Sequence, residues 1–200
     1  FLVFLVIKLS IYTNINFFHM EFSIIIPTFR NYNYCKLTID SIKKNSSYKH
    51  EIIVHINGID EDTEKYLNIE KILFTKSNEN IGLCSGVNKA TSLSSKKYIL
   101  YSHDDMYFLP NWDNALVDEI AHINNDRFYL SMTQIAPTGP IKGNIQHIQY
   151  DCGDSIENFD KEKLLKKFNS FNFHDLQGSH WAPHLIPKKL WDKVGGFSEE

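Results

Sequence analysis

From Glu21 onward, the chain alternates short runs of β-forming residues with stretches of helical periodicity, and this alternation most constrains its fold. The run Phe22–Pro27 reads FSIIIP and ends at a proline, as expected of a strand that is buried on both faces. The runs Glu51–Ile56 and Lys97–Ser102 have the same character. Such strands, separated by helices, predict an α/β domain with a mainly parallel central sheet covered by helices.

The helices are predicted from amphipathic spacing. In Cys35–Asn45, for example, Ile39 and Ile42 fall on one face and lysines largely on the other. The regular alternation stops at residues 136–159, a stretch with room for an irregular β-ribbon over Ile145–Tyr150. The other predicted elements are helices over Asp62–Leu67, Gly82–Ser92, Asn111–Ile123, Lys161–Phe168 and Lys188–Val194, and strands over Ile72–Thr75, Arg127–Ile135 and Trp181–Ile186.

Composition excludes several classes of protein. With 42% hydrophobic and 22% charged residues, the 200-residue chain is a globular domain rather than a disordered segment. The net charge is −3, and the basic residues comprise 19 lysines and only two arginines, so we expect no nucleic-acid partner. Three widely spaced cysteines are odd in number and form no CxxC pair, which favours a reducing, cytoplasmic compartment.

The first 19 residues are set apart from the predicted domain, which covers residues 20–200. Phe1–Ile7 is apolar, but polar residues interrupt the stretch after it, leaving it short of the roughly 17 to 25 apolar residues of a spanning helix. Two interpretations stay open: the stub of a membrane anchor, or sequence ahead of a true start at Met20. We expect the chain to be a fragment, because it stops soon after the pair Gly195 and Gly196.

Polar side chains lie after the predicted strands, at the point where each one ends. In an open parallel sheet, ligands gather at the carboxyl ends of the strands. The residues predicted to lie at these ends are Pro27, Thr28, Phe29, Arg30 and Asn31 after the first strand, Asn57 and Gly58 after the second, Asn80 and Gly82 before a helix, and His103, Asp104 and Asp105 after the strand Lys97–Ser102.

The adjacent acids Asp104 and Asp105 give the sharpest chemical signal. Two carboxylates directly after a buried strand repel each other unless a positive group lies beside them, and a divalent cation with a diphosphate supplies that charge. Hard oxygen ligands favour Mg²⁺ or Mn²⁺. The alternative is that Asp104 caps a turn and Asp105 faces water.

Five ordered segments resemble family 2 glycosyltransferases with the GT-A fold: FSIIIPTFRN, EIIVHINGIDEDT, SNENIGLCSGVNKA, KYILYSHDDMYFLPNWD and LWDKVGGFSEE. The resemblance covers about residues 21–200. It implies a Rossmann-like, mostly parallel sheet with helices on both faces, a nucleotide-binding part over about residues 21–110 and a loop-rich acceptor-side part over about 111–200. It also implies a hexosyltransferase or a related inverting enzyme that moves a sugar from a nucleoside diphosphate sugar, UDP-sugar above all, to a glycan or lipid-linked acceptor.

By this resemblance, the segment Pro27–Arg30 binds the nucleotide. Phe29 stacks on the base, with Thr28 close by, and Arg30 lies near the diphosphate. Phe29 as a core aromatic and Arg30 as a surface residue are the alternatives. Asn80, Gly82 and Asn88 match the family's second donor-binding segment, although Asn80 also suits a plain helix cap.

The metal-binding motif departs from the family pattern. His103 stands where the family's Asp-x-Asp motif begins with an acid, whereas Asp105 matches the last acid, which binds Mn²⁺ or Mg²⁺. Asp104 or His103 is left to contact ribose or metal. Ile56 stands where an aspartate commonly recognises the base, so Asn57 becomes the substitute hydrogen-bonding residue.

The resemblance places the acceptor near the end of the chain. His180 and Trp181 are candidates to line that pocket, with Trp181 as a plain core residue the alternative. The general base of the family lies downstream of the GGF segment, hence beyond Glu200, and no residue here is assigned to it. A peripheral membrane association at the inner face is compatible with this activity. Two competitors stay open: a nucleotidyltransferase, and a non-catalytic nucleotide- or sugar-binding module.

Overall fold

A computed structural model describes residues 3–6, 20–138, 147–171 and 182–199, with the backbone alone at residues 3–6 and 147. The strands are β1 (Val3–Val6), β2 (Phe22–Thr28), β3 (Glu51–Asn57), β4 (Leu73–Ser77), β5 (Tyr98–Tyr101), β6 (Met106–Phe108), β7 (Leu130–Ser131), β8 (Thr133–Ala136), β9 (His147–Gln149) and β10 (His184–Pro187). The helices are α1 (Tyr32–Asn45), α2 (Glu61–Ile69), α3 (Leu83–Thr91), α4 (Trp112–Ile123), α5 (Lys161–Lys167) and α6 (Lys188–Val194), with 3₁₀ turns at Ile156–Asn158 and Phe168–Ser170.

The central sheet has six strands in the order β4-β3-β2-β5-β10-β7. Strands β2 to β5 are parallel to one another, while β10 runs antiparallel to both β5 and β7. All seven residues of β2 are buried, as the continuous run FSIIIP predicts. The predicted α/β fold, with a mostly parallel sheet flanked by helices, is therefore confirmed.

Helix α3 packs closely against β2 and β3 because Gly86 leaves space for a buried imidazole. A Cβ atom at Gly86 would lie 2.7 Å from Cδ2 of His55, which is fully buried on β3. This close approach brings the start of α3 to the carboxyl edge of the sheet. On α1, the predicted apolar face is confirmed, since Ile39 and Ile42 are buried in the main core.

The second half of the chain departs from the prediction. The single strand predicted over Arg127–Ile135 is wrong: β7 pairs with β10 in the central sheet, whereas β8 belongs to a second sheet of order β6-β1-β8-β9. Strand β6, directly after Asp105, is not among the predicted elements because three residues carry too little periodicity to detect. In the described part of the ribbon predicted over Ile145–Tyr150, residues His147–Gln149 form β9, which lies parallel to β8.

Part of the segment 1–19, predicted to lie outside the domain, pairs with the second sheet. Strand β1 is parallel to β6 and antiparallel to β8. Among the described helices, none is both long and apolar enough to cross a membrane.

Candidate functional site

The polar residues of the predicted site meet at the carboxyl edge of the parallel strands. Strand register places Tyr101, the last residue of β5, between Ile25 of β2 and His184 of β10. His184 in turn pairs with Ser131 of β7. The loop 102–105 comes directly after Tyr101, so its side chains lie at the edge where ligands bind in open parallel sheets.

Asp104 is held by residues of two other elements. Thr28 Oγ1, at the end of β2, donates a hydrogen bond of 2.6 Å to Asp104 Oδ2. Thr38 Oγ1, on α1, donates to the Asp104 carbonyl oxygen at 2.8 Å. The Asp104 carboxylate is therefore bound by a residue distant in sequence, whereas the sequence leaves a turn-capping role open as the alternative. Burial raises the pKa of the Asp104 carboxyl to about 6. The hydrogen bonds from Thr28 and Asn31 act in the opposite direction and lower this pKa, but burial has the larger effect.

Asp105 differs from Asp104 because one of its carboxylate oxygens has no partner in the part of the chain that the structure describes. Its Oδ1 atom is buried and has no hydrogen-bond partner among the described residues. Burial raises the pKa of this carboxyl, while the neighbouring His103 lowers it. An orphaned, buried carboxylate oxygen costs free energy unless a cation or donor completes it. The residues present therefore fit a hard divalent cation.

The described residues contain no complete set of metal ligands. Within residues 20–138, 147–171 and 182–199, no group of three or more histidines, cysteines or acids is arranged to hold a metal ion. His103, in the first position of the motif, packs its ring 5.6 Å from that of Tyr101. Burial lowers the pKa of His103, and the charge of Asp105 opposes this effect. A cation at Asp105 would need oxygen ligands from substrate or water.

Phe29 is an open aromatic face rather than a core residue. It is 45% exposed, which rules out the core alternative. Gly58, at φ +100°, lies beneath it, and a Cβ atom there would approach Phe29 Cε2 to 3.3 Å. The guanidinium of Arg30 lies 5.3 Å from the centre of the Phe29 ring. Pro27, by contrast, is buried within β2 and pairs with His55 of β3, so it is part of the sheet rather than of the exposed loop.

Asn57 uses both ends of its amide inside the protein. Its Oδ1 accepts from the backbone N–H of Ile81 at 2.7 Å, and its Nδ2 donates to the Gly82 carbonyl at 3.0 Å. Asn80 Oδ1 accepts from the Gly82 N–H at 2.9 Å, which makes a turn rather than a cap on α3. Asn57 and Asn80 thus hold the loop in front of α3, and the base-binding role of Asn57 stays a prediction.

Asn88 contacts the end of the chain instead of the strand edge. Its Oδ1 accepts from the Phe197 N–H at 3.0 Å, and its Nδ2 donates to the Phe197 carbonyl at 2.9 Å and to Glu199 at 2.7 Å. Ser85 Oγ also donates to Glu199, at 2.9 Å. Gly196 permits this approach, since a Cβ atom there would lie 2.5 Å from Asn88 Oδ1. These contacts favour a positioning role for Asn88 over donor binding.

The predicted site residues and those that the structure brings together differ in two respects. The acceptor-side candidates His180 and Trp181, and Glu200, lie outside the described residues. Conversely, Tyr101, Tyr129 and His184 are not among the predicted site residues, although the Tyr101 ring contacts those of His103 and His184, and the His184 ring contacts that of Tyr129. Tyr101 and His184 are partners across 83 positions of sequence, and no local pattern signals such a pairing.

Known proteins resemble this chain in both sequence and fold. A sequence profile described as "Glycosyl transferase family 2" matches residues 23–182. No curated protein matches the chain. Among solved structures, S. aureus TarS 1-349 is similar with a TM-score of 0.61 and 15% identity, over 90% of this chain and 51% of that one. The same protein in complex with UDP-GlcNAc gives a TM-score of 0.59 and 14% identity, over 88% and 48%.

A third similar structure is the mannosyltransferase PcManGT from Pyrobaculum calidifontis in complex with GDP-Man and Mn²⁺, with a TM-score of 0.57 and 15% identity. It is matched over 90% of this chain and 48% of its own length. The chain therefore spans about half the length of these structures, and at such low identity the likeness concerns the fold alone.

Proposed function

Because the chain belongs to glycosyl transferase family 2, we propose that it transfers a sugar from a nucleoside diphosphate sugar to a glycan or lipid-linked acceptor. The observation that carries the proposal is the buried Oδ1 of Asp105, at the carboxyl end of β5, which has no partner within residues 20–138, 147–171 and 182–199. A structural carboxylate would have its hydrogen bonds satisfied within the protein, as that of Asp104 largely does. The unsatisfied oxygen is the feature expected of a site completed by its ligand.

The nucleotide base stacks on Phe29. This ring is half-exposed, lies over Gly58 and carries the Arg30 guanidinium beside it. A flat aromatic face binds any base by stacking, and a nearby cation favours the negative diphosphate. TarS was solved with UDP-GlcNAc and PcManGT with GDP-Man, so uracil and guanine are the bases to test first. UDP-sugar is the donor proposed here.

The cofactor proposed is Mn²⁺ or Mg²⁺, held by Asp105 with Asp104 beside it. When bound, such a cation neutralises charge on the departing diphosphate. PcManGT, solved with Mn²⁺, supports the choice of a hard divalent cation. Thr28 and Thr38 contribute by fixing the Asp104 side chain and backbone, which holds the loop 103–105 at the strand edge before any ligand arrives.

The acceptor and the chemical step rest on the family alone. Inversion by direct displacement requires a general base that deprotonates the acceptor hydroxyl, and none is assigned within the described residues. Glu199 is excluded from that role here, because its carboxylate is engaged by Ser85 and Asn88. A role in surface polysaccharide or lipid-linked saccharide synthesis, on the cytoplasmic side and at the membrane face, remains a proposal.

Calorimetry tests the donor site. UDP, GDP and CDP are titrated into the full chain with and without Mn²⁺, beside an Asp105→Asn variant and an Asp62→Asn control at an exposed position of α2. We expect binding of one nucleotide that requires Mn²⁺, is lost in Asp105→Asn and is kept in the control. Failure of all three nucleotides to bind a folded protein would contradict the proposal and favour a module that has lost its donor.

A further inference from the structure

The hydroxyl of Tyr101 is a second buried polar atom near Asp105 for which the described residues supply no partner. This tyrosine is only 5% exposed, and its hydroxyl has no hydrogen-bond partner among the described residues. Buried polar side-chain atoms without partners are rare, and each calls for an explanation. A phenylalanine would pack at this position equally well, so packing does not account for the hydroxyl.

Tyr101 is the last residue of β5, and its ring lies 5.6 Å from that of His103, which directly precedes the two acids. Besides burial, the groups that raise the pKa of Tyr101 are Cys84, Tyr129, Asp104 and Asp105, so all four lie within its electrostatic reach. Cys84 is the second residue of α3, and the two acids come after β5. Tyr101 therefore lies near both the start of α3 and the proposed metal site.

Aromatic rings line the space beside Tyr101. The ring of Tyr101 lies 5.6 Å from that of His103 and 6.1 Å from that of His184. The Tyr129 ring lies 4.8 Å from that of His184 and is 43% exposed. Phe197 closes another side at 5.4 Å from Tyr101. The rings thus lead from the loop 103–105 outward to an open aromatic face.

We propose that Tyr101, His184 and Tyr129 form the subsite for the sugar ring of the donor, with the Tyr101 hydroxyl hydrogen-bonded to a sugar hydroxyl. This inference rests on the proposed function, since it names the pocket that receives the transferred group. A sugar hydroxyl both donates and accepts, so it can satisfy a tyrosine hydroxyl that has no partner among the described residues. Flat rings add contact area for the apolar face of the sugar.

A comparison of nucleotide with nucleotide sugar tests the pocket directly. The Tyr101→Phe variant of the full chain is titrated, in the presence of Mn²⁺, with UDP, UDP-glucose and UDP-N-acetylglucosamine, and with GDP and GDP-mannose. We expect its affinity for the bare nucleotide to stay within about twofold of the unmodified chain, while its affinity for the matching sugar nucleotide falls about fivefold. Its melting temperature is unchanged or raised, because an unsatisfied hydroxyl is removed.

Tyr98→Phe is the matched control, since Tyr98 is a buried tyrosine at the other end of β5. We expect it to leave both affinities unchanged. Tyr129→Ala, at an exposed position, removes a ring face proposed to contact the sugar and repeats the test should Tyr101→Phe fail to fold.

Sugar-nucleotide affinities that are unchanged in Tyr101→Phe, or in Tyr129→Ala where the first variant does not fold, would overturn the sugar subsite and leave the nucleotide site standing. Absence of any nucleotide binding in the unmodified chain would instead overturn the proposed function, and this inference with it.

Discussion

The loop clusters after β3 and after β5 lie at the same edge of the sheet, yet they satisfy their polar atoms in opposite ways. After β3, the Asn57 amide is hydrogen-bonded at both ends to the loop in front of α3. After β5, the Asp105 carboxylate and the Tyr101 hydroxyl each keep a buried atom without a partner among the described residues. We call the first cluster closed, because the protein satisfies the hydrogen bonds of its amide, and the second cluster open, because two of its buried atoms have no partner among the described residues.

This difference separates a scaffold from a binding site. A closed cluster contributes to stability, so a substitution in it should lower the free energy of unfolding before it affects activity. An open cluster costs stability and is kept for the ligand that completes it. Polar residues at strand ends, which look alike in sequence, can therefore be sorted by counting their partners.

The largest expected effect is on the open cluster. Asp105→Asn removes the charge that a divalent cation requires and breaks no hydrogen bond at the buried Oδ1 atom. We expect Mn²⁺-dependent nucleotide affinity to fall at least 100-fold, about 2.7 kcal/mol, while the free energy of unfolding stays within about 0.5 kcal/mol. Calorimetry and urea unfolding of the same sample measure both quantities. If Asp105→Asn keeps Mn²⁺-dependent nucleotide binding, the assignment of the open cluster as the binding site is contradicted.

The closed cluster should respond through stability. Asn57→Ala leaves the Ile81 N–H and the Gly82 carbonyl without their partner, which should lower the free energy of unfolding by about 2 kcal/mol. Asn68→Ala is the control, because the Asn68 side chain makes a single exposed hydrogen bond, to the Glu64 carbonyl. Urea unfolding measures both variants. Equal stability of the two would show that the loop before α3 does not depend on Asn57.

A smaller effect is expected at Phe29, which borders both clusters. Phe29→Ala removes the proposed stacking face for the base and should weaken nucleotide affinity about tenfold. Stability should change little, because the side chain is 45% exposed. Phe29→Tyr keeps a flat ring and should restore binding in the same titration. If the tyrosine variant binds no better than the alanine variant, stacking is not the role of this position.

The smallest effect concerns acid stability of the closed cluster. His55 lies beneath it, with Nδ1 2.8 Å from Thr75 Oγ1, and burial lowers its pKa to about 4. The unfolded chain, where histidine has a pKa near 6.5, binds the proton first, so stability is present above that pKa and is lost as the pH falls. Between pH 6.5 and 5.5, the loss assigned to His55 is about 1 kcal/mol.

The His55→Gln variant isolates this contribution, because glutamine keeps hydrogen-bonding capacity and does not titrate. Its free energy of unfolding, measured by urea at both pH values, should fall by about 1 kcal/mol less than that of the unmodified chain. Identical pH dependence in the two proteins would mean that His55 is not held neutral under α3.

The sequence predicts the first half of the chain better than the second, for a physical reason. From β2 to β5, each strand is continuous in sequence and each helix carries its own amphipathic signal, so local patterns suffice. In the second half, β10 enters the sheet between β5 and β7, and β7 and β8 belong to different sheets despite a single residue between them. Such pairings depend on distant residues, and no periodicity records them.

The same limit applies to the candidate site. Asp104, Asp105 and Phe29 come directly after strand ends, so sequence alone brings them to one edge. His184 lies at that edge because its own strand, β10, runs antiparallel to β5 and pairs His184 with Tyr101. Asn88 shows the converse, since its motif position suggests the donor while its amide contacts Phe197. Which polar groups are already satisfied is a property of the packed structure alone.

A crystal structure of the chain with UDP and Mn²⁺ would test the central claim most directly, which is that the open cluster after β5 is the nucleotide-sugar site. We predict an anomalous scattering peak for the ion within about 2.5 Å of an Asp105 carboxylate oxygen, with uracil stacked on Phe29. An ion bound away from Asp105, or a nucleotide away from the carboxyl edge of the parallel strands, would contradict it.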